Sequence, residues 1–125
     1  MGWDPATVPD PQDPQTFERS KLDWSTAESG DHARLLDLYR ELIALRRALP
    51  ALSDPDFARL RASFDDDLRW FRLERDDLSI AVNFGTEALT LPVIEATVLL
   101  STDAAASVTG TELALPPHSA VILQH

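Results

Sequence analysis

The sequence predicts a mainly β fold with one long helix, in which a proline-rich loop and an amphipathic helix lead into an antiparallel β-sandwich. Three observations carry this. A sustained apolar period of three to four residues runs between Asp31 and Leu49. After Pro50 the pattern shortens to runs of strand length separated by turn residues. Four of the nine prolines (Pro5, Pro9, Pro11, Pro14) fall within the first thirty residues, beside six acidic and two basic side chains. With 125 residues, 44% of them hydrophobic, the chain can bury one core. It is too short for a complete (β/α)₈ barrel, which takes about 250 residues.

Each element follows in chain order. Residues 1–30 read as loop, because every proline fixes its own φ and pushes its predecessor toward extended geometry. Trp3, Phe17, Leu22 and Trp24 are large apolar side chains in this polar stretch, which implies that something covers them. From Asp31, the residues Leu35, Leu38, Tyr39, Leu42, Leu45 and Leu49 recur at helical spacing, and Leu36 and Ile43 widen the stripe. Ser29 or Asp31 can cap the helix start, Arg46 and Arg47 suit its negative end, and Pro50 stops it. Strands are expected over 59–64, 68–74, 78–84, 89–92, 97–101, 112–115 and 119–124, with a remnant near Val108. The Asp65-Asp66-Asp67 and Asp76-Asp77 runs make turns. Domains are therefore expected at 1–50 and 51–125.

Several functions are set aside by composition. A formal charge of −10 repels nucleic acid and anionic membrane surfaces. There is no cysteine, and His32, His118 and His125 lack ligand-like spacing, so neither a metal site nor a cofactor is expected. The Asp65–Asp67 triplet lacks the glycine and distal glutamate of a calcium loop. No run is long and apolar enough to span a bilayer, and the first ten residues do not read as a signal peptide. Both point to the cytosol.

Two strings narrow the reading further. The stretch Val8-Pro9-Asp10-Pro11-Gln12-Asp13-Pro14, continued by Thr16-Phe17-Glu18-Arg19-Ser20-Lys21-Leu22-Asp23-Trp24, resembles a segment near the end of the barrel in the malto-oligosyltrehalose trehalohydrolase family. The run His32 to Leu52 resembles the last barrel helix of α-amylase-type glycoside hydrolases. Val82-Asn83-Phe84 and Leu115-Pro116-Pro117-His118-Ser119-Ala120-Val121 resemble their C-terminal β-sandwich. The resemblance implies a parent enzyme that releases trehalose by hydrolysing an α-1,4 bond, with catalytic carboxylates on barrel strands upstream of the matched region. None of this chain's residues then receives a catalytic role. The expected partner is the catalytic barrel, against which residues 1–50 and the sandwich pack. A maltooligosaccharide, or a second copy covering helix 31–49, is the alternative partner.

Candidate binding residues are open to two readings each. Arg19, Lys21, Asp23 and Trp24 lie where the resemblance places substrate loops, so the charged groups would bond sugar hydroxyls and Trp24 would stack on a pyranose face. In the alternative, Arg19 and Asp23 pair locally while Phe17, Leu22 and Trp24 anchor the loop. Trp70 is a sugar platform if it faces outward, or a core or interface residue. Leu68, Trp70 and Arg72 share one strand face and Phe71 and Leu73 the other, so one set must meet something outside the sandwich.

Overall fold

The computed structural model describes residues 8–125, which leaves Trp3 and Pro5 outside the described residues. The described chain divides into two compact units between Leu36 and Asp37.

The proline-rich segment is not loop throughout. Helix α1 spans Pro14–Ser20. Asp13 caps it from extended geometry, its carboxylate accepting the Gln15 N–H at 2.8 Å. Pro14 takes the first helical position, where a missing N–H leaves no bond unmade. The constraint that bars proline from helix interiors thus allows a helix to start with it. A 3₁₀ turn, Trp24–Glu28, follows behind its own cap, Asp23.

Helix α2 spans Gly30–Ala48 and crosses the division between the two units. Its start differs from expectation. Ser29 contributes its backbone carbonyl, which accepts the Ala33 N–H at 3.2 Å, and the Asp31 carboxylate pairs with Arg34 at 3.3 Å. Gly30 enters with φ at 59°, a left-handed geometry that glycine adopts without steric cost.

Eight strands follow: β1 (Arg61–Asp65), β2 (Trp70–Arg75), β3 (Leu78–Asn83), β4 (Leu89–Pro92), β5 (Thr97–Ser101), β6 (Ser107–Thr109), β7 (Glu112–Leu115) and β8 (Ser119–Gln124). They form a five-stranded sheet in the order β1-β2-β3-β8-β5 and a three-stranded sheet in the order β4-β7-β6, antiparallel throughout. The remnant near Val108 is a paired strand, since Val108 stands opposite Leu113. The first hairpin turn is longer than expected. Asp65 accepts the Leu68 N–H at 2.8 Å and Arg69 sits at φ 56°, so β2 begins at Trp70 instead of Leu68.

The core lies between the sheets. Ala81, Val121 and Leu123 from the large sheet meet Leu91, Leu113 and Leu115 from the small one, with Val93 beside them. Fully burying a leucine contributes about 1.5–3 kcal/mol, so these side chains are the main source of cohesion. Arg72 adds a polar tie, its Nη2 donating to the Pro92 carbonyl at 2.7 Å.

Candidate interaction surface

The four residues singled out in the proline-rich segment are mostly engaged close to home. Arg19 donates to Gln15 Oε1 at 3.0 Å. Lys21 pairs with Glu18 at 2.9 Å, and its Nζ lies 4.7 Å from the centre of the Phe17 ring. The Asp23 carboxylate accepts from the Ser25 hydroxyl at 2.6 Å and the Ser25 N–H at 3.0 Å, which together hold its pKa below the ordinary value. In place of the alternative Arg19–Asp23 ion pair, Arg19 bonds to Gln15 and Asp23 to Ser25. Trp24 is different: it is 80% exposed, and Phe17 and Leu22 are exposed with it.

Trp70 turns toward the interior, half-buried against the sandwich core. Register explains this. Trp70 stands opposite Asp65 on one side and Asn83 on the other, and Arg72 stands opposite Ser63 and Ala81, so their row belongs to the inner face. Alternation then sends Phe71 and Leu73 outward. Phe71 is flanked by Phe64 and Val82, while Leu73 is flanked by Ala62 and Ile80, and Ile80 continues across β8 to Ile122 and on to Leu100. The five-stranded sheet is thus apolar on both faces. A sheet of a free-standing sandwich has one wet face.

Cover on that outer face is uneven. Ile122 is buried, and Leu73 and Ile80 line a cleft with Ala51 and Leu52 of the segment after α2. Phe64 is 64% exposed and Phe84, just past β3, is 60% exposed. On α2, Leu38, Leu42 and Leu45 are half-buried, whereas Tyr39 and Ile43 remain open at 58% and 48%. The apolar surface that lacks a partner is therefore made of particular side chains at defined positions.

The loops beside Phe84 are held by Asn83, which is fully buried. Its Nδ2 donates to the carbonyls of Glu87 and Pro116, both at 2.9 Å, and Leu115 at 3.3 Å. Its Oδ1 accepts the Gly85 N–H at 2.8 Å. A Cβ on Gly85 would stand 3.1 Å from that oxygen, so any larger residue there would press on the Asn83 side chain. His118 completes the corner at φ 51°, its N–H donating to the Gly85 carbonyl at 3.2 Å.

Carboxylates do gather at one place, around Arg59, which pairs with Asp54, Asp56 and Asp76. This is not the arrangement of a glycosidase acid, whose pKa must be raised so that it holds a proton near neutrality. Asp54 is shifted the other way, first by the Asp56 N–H and further by the charge of Arg59. Sequence reasoning missed Arg59, Arg75 and the structural work of Asn83. Arg75 bonds to carbonyls 19 to 24 positions away, a relation that leaves no local pattern, whereas Arg59 joins the nearby Asp54 and Asp56 to Asp76, 17 positions on.

An antiparallel two-sheet sandwich preceded by a helix, with apolar side chains on both faces of its larger sheet, defines the class of β domain to which the chain belongs. Residues 55–122 match the family described as domain of unknown function DUF3459, and the chain belongs to that family. Two curated relatives are malto-oligosyltrehalose trehalohydrolases. The protein from Rhizobium sp. (strain M-11) is 52% identical over 124 residues, and that from Brevibacterium helvolum is 51% identical over 124 residues. In both cases 99% of this chain and 21% of the relative are covered, so the chain spans about a fifth of their length. Among solved structures, a Salmonella typhimurium protein assigned as an alpha amylase matches with a TM-score of 0.69 and 28% identity, over 94% of this chain and 20% of that one. The resemblance to the C-terminal part of trehalohydrolases therefore holds across nearly the whole sequence. Among the described residues, no helix is long and apolar enough to cross a membrane.

Proposed function

We propose that the chain is a non-catalytic docking domain, which stabilises the catalytic part of a trehalose-releasing glycoside hydrolase by covering apolar surface on it. The observation that supports this reading is the outer face of the five-stranded sheet, where Phe64, Phe71, Val82 and Phe84 form an incompletely covered apolar area. Tyr39 and Ile43 of α2 offer a second such area. Covering about 300 Å² of apolar surface at about 25 cal/mol per Å² is worth about 7 kcal/mol, enough to decide whether a marginal domain stays folded. The partner is the catalytic barrel in this reading. Trp24 supports a second, sugar-contacting role, because its ring is exposed while Arg19, Lys21 and Asp23 are bonded locally.

The test is a chimera in which this chain replaces the matching segment of the Rhizobium relative. The chimera is expected to hydrolyse maltooligosyl trehalose, and Phe64→Glu together with Phe84→Glu to lower its melting temperature and activity sharply. Unchanged stability and activity in that double variant would remove the docking role from this face.

A further inference from the structure

One arginine holds the connector between α2 and the sandwich. The connector leaves the helix through two 3₁₀ turns, Pro50–Leu52 and Phe57–Arg59. Arg75, the last residue of β2, reaches back to it. Its Nη1 donates to the carbonyls of Ala51 at 3.0 Å and Asp54 at 2.6 Å, and its Nη2 to that of Asp56 at 2.9 Å. Three carbonyls of one irregular segment thus converge on a single guanidinium, whose rigid fork supports a multi-point contact that a lysine ammonium cannot reproduce.

The connector is tied at both ends as well. Ser53 Oγ donates to the Arg46 carbonyl at 2.9 Å, which bonds the connector to the last turn of α2. At the other end Arg59 pairs with Asp76, the residue that follows Arg75 in the β2–β3 turn. Packing alone does not make this attachment. Between connector and sheet lies a cleft of about 230 Å³ bordered by Leu52, Phe57, Leu60, Leu73 and Ile80, so apolar contact there is incomplete.

We infer that Arg75 is the positioning residue that locks the connector, and the end of α2 that the connector continues, onto the sandwich. Residues 37–125 then present helix and sheet as one body, and residues 49–60 are not a hinge. This inference goes beyond the docking role and stands without it.

The test is hydrogen exchange on the 125-residue chain and on Arg75→Met, combined with spin labels at Ala44→Cys and Thr97→Cys, for which the cysteine-free sequence needs no background removal. In Arg75→Met the amides of Leu52, Ser53 and Asp54, which close the first connector turn, are expected to exchange at least about tenfold faster. Core amides in β3 and β8 keep their rates, and the label-to-label distance distribution broadens. If Arg75→Met does not fold, Arg75→Lys is expected to give the same local acceleration to a lesser degree. Wild-type exchange in the connector would overturn the inference, and so would equal acceleration in core and connector.

Discussion

Asn83 is where a single side chain determines the most structure. Buried and bonded to three carbonyls and one N–H, it joins the β3–β4 loop to the β7–β8 corner. Asn83→Ala leaves buried backbone groups unpaired and is expected to cost about 3 kcal/mol in chemical denaturation, against less than about 0.5 kcal/mol for an ordinary surface change. Asp54 sets a pH dependence. Its pKa is lowered in the folded state by the Asp56 N–H and by Arg59. A depressed carboxylate stabilises the fold above its unfolded pKa of about 3.9, and that contribution disappears as pH falls through the folded value. The melting temperature of the wild type is therefore expected to fall more steeply below about pH 4 than that of Asp54→Asn. Parallel curves would show that Asp54 contributes nothing. The sequence exposes Asn83 as part of a recognisable string but not what it does, since its partners lie as far as 33 positions away.

Among the elements, β2 carries the functional argument. Its alternation shows that both faces are substantial, but only the register with β1 and β3 tells which one is inside. The inner row holds Trp70 and Arg72, so the residue that most invites a sugar-platform reading is packed against the core. The outer row holds Phe71 and Leu73, which Phe64 of β1 and Phe84 past β3 extend. Stability measurements separate the two faces: Leu113→Ala, at the centre of the core, is expected to cost about 2–5 kcal/mol. Phe64→Ser on the outer face is expected to cost less than about 1 kcal/mol in this chain, because water already reaches the ring. A larger loss at Phe64 would mean that the chain itself covers the outer face. Strands β4, β5, β7 and β8 have the limits that the sequence indicates, because turn residues bracket each of them. The short helix at Pro14 was hidden by its prolines, and the extra residues of the first turn by the left-handed geometry of Arg69.

At the scale of the whole molecule, the chain matches about a fifth of its trehalohydrolase relatives, and its larger sheet is apolar on the face that its own residues cover least. These two facts explain each other if the remaining length of such an enzyme supplies the missing cover. Composition, periodicity and family resemblance made the mainly β fold behind one long helix readable. Which side chains lie open could not be read, because exposure is decided by pairing across strands far apart in sequence. The most direct measurement is sedimentation of the 125-residue chain mixed with the Rhizobium relative from which the matching segment has been removed. A saturable one-to-one complex that is lost when Phe64 and Phe84 are both replaced by glutamate is the expected result. Absence of a complex, or a complex indifferent to those substitutions, would contradict the account.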